Sequence, residues 1–344
     1  MRDLIRVKPV ELDATRRRLS VCHDIADLRA TGRRLIVKGP LGPADCLHAV
    51  SAGADGVQLS NHGGRQLDRA VPPVQTIAAA REAVASATNT DLWFQLYLLR
   101  DRGLNKELVD RAAAAKYRVL VVTVDCFVTG HRTRDRRNGL VIPPELTART
   151  LLSIASKPGY WTRMLRSPAI DFANFAGHEA VTIEGTGALF NPAITWDDIA
   201  ELRARWPGRL VVKGPLGPED AVRAVSVGAD GVQLSNHGGR QLDRTVAPVT
   251  MISAVRDTVG PDISVLVDSG VRHGSDMVVA LALGADACAI GRAYLYGLMA
   301  GGEAGVDKAL DILAGQFKRT MQLLGVPSVA ELRSLGSSLL VNGR

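Results

Sequence analysis

Aromatic residues make up only 4% of the 344-residue chain, and no basic run is interleaved with them. Proteins that grip single-stranded nucleic acid stack its bases on aromatics inside a basic groove, so no nucleic-acid partner is expected. The net charge of +7 is modest for this length. It suits an anionic small ligand, and it suits plain solubility equally well. Cysteine is scarce too: Cys22, Cys46, Cys126 and Cys288 show neither paired nor metal-ligand spacing. That argues against a disulfide framework and against a metal site, and it favours a reducing compartment. No segment approaches the ~18 apolar residues of a membrane span. The opening "MRDLIRVKPV" has charges where a signal peptide needs an apolar run. A cytoplasmic protein is expected.

Hydrophobic residues reach 46%, which is ample for a sizeable core. Short β-branched runs alternate with Ala-rich amphipathic stretches, the pattern of successive β–α units in a parallel sheet. Eight runs qualify as strands: Leu35–Gly39, Gly56–Ser60, Trp93–Tyr97, Val119–Asp125, Leu210–Gly214, Gly231–Ser235, Ser264–Asp268 and Ala287–Gly291. Helical stretches include Leu104–Ala115, Pro218–Val227, Val249–Val259 and Gly274–Leu283. Eight such pairs predict a single α/β unit over residues 1–344, a closed (β/α)8 TIM barrel.

One connection breaks the rhythm. Residues 126–192 form a long loop 4 without a clear strand, and connections of that length usually carry function. Its cluster of Tyr160, Trp161, Met164 and Leu165, flanked by Lys157, Arg163 and Arg166, fits a cover on the barrel mouth. It also fits peripheral contact with a membrane surface. After Gly301, "AGVDKALDILAGQFKRTMQLLG" and "SVAELRSLG" read as helices closing the barrel from outside.

The chain also repeats itself. "GADGVQLSNHGGRQLDR" stands at Gly53 to Arg69 and again, unchanged over all seventeen positions, at Gly228 to Arg244. From Arg34 to Val84, 37 of 51 positions equal those 175 residues later, so 31–90 is an internal duplicate of 206–265.

Catalytic groups in such barrels project from the C-terminal strand ends. Read in order, those ends carry Gln95 and Tyr97, Thr123 and Asp125, Lys213, then Ser235, His237 and Arg240. Asp268 and Arg272, then Gly291 and Arg292, complete a polar ring. A buried Lys213 needs an anion beside it, which a simple salt bridge would also provide. His237 precedes a glycine pair that lets backbone approach a ligand, and Arg240 can fork onto a carboxylate. Asp125, two strands earlier, can orient the imidazole and stabilise its charged form. That is a base with its orienter, suited to abstracting a proton beside a carboxylate. Glycines with Arg272 and Arg292 after the last two strands suit a phosphate.

"SNHGGRQLD" at Ser235 to Asp243, with "FQLY", "VTVD", "VVKG", "VDSGVRHGSD" and "IGRAYLYGL", resembles the FMN-dependent α-hydroxy-acid dehydrogenases and oxidases. Within that family the flavin-type L-lactate dehydrogenases are the nearest likeness, from roughly Trp93 to the C-terminus. The resemblance implies FMN as cofactor, a small lactate-like L-2-hydroxy acid as substrate, and a homo-oligomer. It implies that His237 takes the α-proton with Asp125 supporting it. Arg240 and Arg132 would hold the carboxylate, and Tyr97 the hydroxyl or keto oxygen. Lys213 would stabilise the reduced flavin, with Gln95, Thr123 and Ser235 also on the cofactor. Asp268 would meet the ribityl chain, and Arg272, Gly291 and Arg292 the phosphate. The electron acceptor, whether oxygen, quinone or cytochrome, is not legible in these motifs.

The chain departs from the family pattern at its N-terminal third. The family's first strand carries a Pro-Thr-small-residue flavin contact and its second a serine. Here the copied "LIVKG" and "VQLSN" stand in their place, with Lys38 where small residues are expected and Ser60 as the one serine. No tyrosine precedes Tyr97, so a second substrate tyrosine of the family is missing. The chain is then either an active enzyme rearranged at its first strands, or a barrel that binds FMN or phosphate with turnover impaired.

Overall fold

A computed structural model of the chain describes residues 36–38, 56–59, 91–128, 130, 137, 190–242 and 244–340. Its sheet holds eight strands in chain order. They are β1 (Ile36–Lys38), β2 (Gly56–Leu59), β3 (Asp91–Tyr97), β4 (Val119–Thr123), β5 (Arg209–Lys213), β6 (Gly231–Leu234), β7 (Ser264–Val267) and β8 (Ala287–Cys288). Every neighbouring pair is parallel. The strands match all eight expected runs, and the architecture is the (β/α)8 TIM barrel. β8 is shorter than expected, because Ala289–Gly291 leave the ladder to line the barrel mouth.

The intervening helices are α1 (Arg102–Ala114), α2 (Trp196–Arg205), α3 (Pro218–Ser226), α4 (Pro248–Val259) and α5 (Gly274–Ala282). α2 is an addition to the helices expected from the sequence. Its signal is a Thr195–Asp198 capping box, in which each side chain satisfies the other residue's backbone N–H; such reciprocal pairs mark helix starts.

Alternation along the strands sorts side chains into two layers. Val119 and Val121 join Trp93, Val211, Leu266 and Ala287 in a cluster inside the barrel. Leu120 and Val122 face outward with Leu210, Val212, Val232 and Leu234, against helix residues such as Leu108, Ile199 and Ile252. Burial on both faces explains why these strands read as unbroken apolar runs. Gln95, Thr123 and Lys213 share the inward parity of Trp93, Val121 and Val211, but lie further along each strand. Register then aligns them: Tyr97 pairs with Thr123, Thr123 with Lys213, and Lys213 with Gln233. The polar ring is the top of the barrel's own interior.

The copied segment supplies β1 and β2, which pair with each other and with β3. The Lys38 side chain, Ser60, His62 and Arg65 lie outside the described residues. So does most of loop 4, including Arg132 and the Tyr160 cluster. The chain returns from that loop at Phe190, which bridges antiparallel to Leu99.

The C-terminal segment differs from expectation at its start. Helix begins at Arg292 rather than after Gly301, giving α6 (Arg292–Leu323), followed by α7 (Val329–Leu335). α6 is not one straight rod. A Cβ on Gly297 would strike the backbone of Gly305, and a Cβ on Gly305 that of Gly297. Residues eight apart in a straight helix are separated by ~12 Å, so the segment folds back where these two glycines meet. Gly315, further along, has open space at its Cβ position. Gly305→Ala should therefore lower stability by about 1–3 kcal/mol through overpacking. Gly315→Ala should raise it by about 0.5–1 kcal/mol through helix propensity. Thermal unfolding of the two variants beside the parent chain checks both signs.

Candidate active site

Asp125 follows β4 and His237 follows β6, and the two meet across the barrel mouth. His237 Nδ1 lies 2.6 Å from Asp125 Oδ2. An ionised carboxylate only accepts hydrogen bonds, so Nδ1 carries the proton and Nε2 is left with its lone pair. Tyr97 OH lies 3.5 Å from Nε2, and both residues line the same cavity. His237, Gly238 and Gly239 have φ values of 55°, 64° and 73°. This left-handed run is costly for histidine and free for glycine, and it turns the imidazole back over the barrel. Asn236 steadies the turn by accepting from Gly239 N at 3.1 Å. Burial holds the imidazole pKa below its ordinary value; the Asp125 hydrogen bond works against this, and the Lys213 charge adds to it.

No motif in the sequence singles out Cys126, yet its thiol lies 3.5 Å from His237 Nδ1. Asp125, Cys126 and His237 thus bring three ligand-type atoms within 4.8 Å of one another. The short Asp125–His237 contact makes this first an acid–base pair. Cysteine spacing gives no hint of the grouping, because it joins residues that follow different strands.

Lys213 ends β5 and its side chain is 3% exposed. Its ammonium donates to Ser235 Oγ at 2.8 Å and stands 3.3 Å from Asp268 Oδ2. Burial works against its charge, but Asp268, Asp125 and Tyr97 outweigh that and raise its pKa above the ordinary lysine value, which favours the ammonium form. Gln233, absent from the residues expected at the site, donates to the same Asp268 oxygen at 2.8 Å.

Gln95 Nε2 donates to Thr123 Oγ1 at 3.0 Å, while Gln95 Oε1 is buried without a partner among the described residues. Gln95, Tyr97, Lys213, His237, Arg240, Asp268, Arg272, Gly291 and Arg292 together line a cavity of about 550 Å³. Thr123, Asp125 and Ser235 stand behind it as hydrogen-bond partners. Gly270 and Gly291 each face open space where a Cβ would sit, Gly270 after β7 and Gly291 at the N-cap of α6. Arg292 reaches back to the histidine turn and donates to Gly238 O at 2.7 Å. Of the expected site residues only Arg132 falls outside the described part.

The cavity at the mouth of the parallel barrel is thus lined both by a histidine paired with a carboxylate and by glycines open to it. A family model described as FMN-dependent dehydrogenase matches residues 10–88 and 78–338, and the chain belongs to that family. A relative from Mycobacterium tuberculosis is 46% identical over 254 residues, which covers 74% of this chain and 61% of that protein. The L-lactate dehydrogenase of Pectobacterium atrosepticum is 40% identical over 259 residues, covering 74% of this chain and 67% of its own length. This chain thus spans about two thirds of such relatives. Among solved structures, the monotopic membrane protein (S)-mandelate dehydrogenase superposes with a TM-score of 0.75 at 34% identity, covering 91% of this chain and 82% of that one.

The cofactor of the family, FMN, fits the residues present. The unpartnered Gln95 Oε1 needs an N–H donor, which the flavin ring has; Lys213 offers a cation to the ring; the Gly270–Gly291 cradle has room for a phosphate.

Replacing Lys213 by Met should leave the part-buried Asp268 carboxylate without the Lys213 charge, with neutral donors such as Gln233 and Ser269 still on it. Breaking such a pair costs about 3–5 kcal/mol. Because the lysine pKa is raised on folding, its contribution is complete below the unfolded value of about 10.4 and is lost only as pH rises through the folded one. The stability gap between parent and Lys213→Met should hold from about pH 6 to about pH 9. Denaturant melts at those pH values test this, and a gap closing at neutral pH would contradict it.

Proposed function

We propose that the chain oxidises a small, lactate-like L-2-hydroxy acid to the 2-oxo acid. The observation that carries this is His237, oriented by Asp125 and kept from protonation by burial and the Lys213 charge, in a cavity it shares with Tyr97 and Arg240. FMN, when bound, supplies the two-electron acceptor. Arg240, joined by Arg132, holds the substrate carboxylate, and Tyr97 orients the hydroxyl. His237 Nε2 takes the α-proton, and Asp125 stabilises the imidazolium that results. Lys213 sets a positive charge where negative charge develops on oxidation of the substrate. Arg272, Arg292 and the Gly291 backbone retain the cofactor phosphate, with Asp268 and Ser235 towards its ribityl chain and ring.

Several finer points belong to this reading. Residues 1–344 act as one barrel, with 31–90 as scaffold and 126–192 as the loop over the mouth. Among the described residues no helix is long and apolar enough to cross a membrane. Kinship with a monotopic enzyme and the Tyr160–Trp161 cluster support peripheral membrane contact through loop 4. The copied first strand, with Lys38 where the family has small residues, supports the second reading, a flavin-binding barrel with little turnover.

The deciding experiment is anaerobic. The purified protein should carry a flavin spectrum that L-lactate bleaches, whereas a stable spectrum under L-lactate and other 2-hydroxy acids would select the second reading. His237→Ala should slow bleaching by about 10²–10⁴-fold with the flavin retained. His62→Ala should change the rate far less, and equal losses would make the copy a working site. Since the imidazole must be neutral to accept a proton and its pKa is lowered, kcat/KM should fall only below about pH 6.5. An inflection above that value would assign the limb to another group. Arg292→Ala should lower flavin occupancy, measured as flavin per polypeptide.

A further inference from the structure

Ser269 follows β7 in a backbone conformation that serine rarely adopts, φ 76°. A non-glycine residue held there costs energy and persists only where its surroundings enforce it. Its hydroxyl is fully used. It donates to Asp268 Oδ1 at 2.7 Å, and it accepts from Asn236 N at 3.2 Å and from Gly238 N at 2.9 Å. A hydroxyl offers one donor and two acceptor positions, so none is left over. The two amides flank His237, in a single tight turn with left-handed φ at His237, Gly238 and Gly239.

We infer that Ser269 is a positioning residue, a staple that fixes the turn carrying His237 to the end of β7. Its three hydrogen bonds leave the imidazole itself alone. It acts by holding both backbone amides beside that histidine, and it ties them to the carboxylate that pairs with Lys213. Ser235 does the complementary job from the other side, since its Oγ accepts from His237 N at 3.1 Å and from the Lys213 ammonium. The turn is therefore gripped at three consecutive amides by two serines. One serine belongs to the turn's own strand and the other to the neighbouring strand. Only the second couples the histidine to β7.

The inference rests on the reading of His237 as the base, and the test separates the two. Ser269→Gly removes the hydroxyl and relieves the backbone strain, while Ser269→Ala removes the hydroxyl and keeps the strain. If the residue were merely structural, the glycine variant would be at least as active as the parent. As a staple, both variants should lose kcat by roughly 10- to 100-fold, the cost of misplacing a reacting group by about 1 Å, with KM little changed. Hydrogen exchange gives a readout independent of turnover. The amides of Asn236 and Gly238 should exchange at least about five-fold faster in both variants, the ratio equivalent to one ordinary hydrogen bond, with β4 and β5 unaffected. Parent-like kcat and parent-like exchange in Ser269→Gly would overturn the staple. Faster exchange at the turn, in a protein whose flavin no 2-hydroxy acid reduces, would support the staple and overturn the catalytic reading instead.

Discussion

Burying the Lys213 ammonium at the end of β5 costs several kcal/mol unless oxygens meet it in good geometry, and the barrel mouth is arranged around meeting it. Asp268 supplies the counter-charge from β7 and Ser235 the hydroxyl from β6. Each of these partners has a second task. Asp268 accepts from Gln233 and from Ser269, and Ser235 accepts from the His237 amide. One buried charge thereby fixes the separation of three neighbouring strand ends. The same charge lowers the imidazole pKa, so the interaction that shapes the mouth also keeps the histidine in its basic form. Asp125 pulls the other way, and that opposition is useful. A base must be neutral before the proton arrives and stabilised afterwards.

Much of this is legible in the sequence because strand ends in a parallel barrel are short and chemically distinctive. Lys213 and Asp268 each close an apolar run, while Gln95 sits just inside the end of β3 and His237 in the turn after β6. A polar residue at such a place has little reason to be buried other than the mouth of the barrel. Eight strands are recoverable for the same reason: burial on both faces leaves Val-, Leu- and Ile-rich runs with sharp limits. What the sequence hides depends on contacts between segments far apart. Cys126 beside His237 is a meeting of β4 and β6, and Ser269 beside Asn236 a meeting of β7 and β6; no local pattern encodes either. The fold-back of α6 is hidden differently. The sequence reading starts helix only after Gly301, whereas in the structure Gly297 and Gly305 are the place where two helical stretches touch. α2 escapes notice because its capping signal is an aspartate where glutamate or glutamine is the commoner partner.

The internal copy shows how differently a fold and a site respond to the same substitution. Each β–α unit of a barrel needs a right-handed crossover, a buried strand and a helix of suitable length. The copied β5–β6 unit meets those needs anywhere in the ring, and accordingly β1 and β2 take their places in the parallel order. A catalytic constellation has no such freedom, because its groups come from several strands at once. His237 on β6 meets Asp125 two strands back, with Arg272 and Arg292 one and two strands ahead. Strand order gives a histidine after β2 other company. By strand order alone, two strands back in the barrel is β8, which leads to Gly291 and Arg292, and one and two ahead are β3 and β4, which lead to Tyr97 and Asp125. In the proposed mechanism, an arginine in the orienter's place would disfavour the imidazolium that proton abstraction creates, and an aspartate in the phosphate-binding place would repel the dianion. On that proposal the second copy would owe its chemistry to β4, β7 and β8, none of which was duplicated with it.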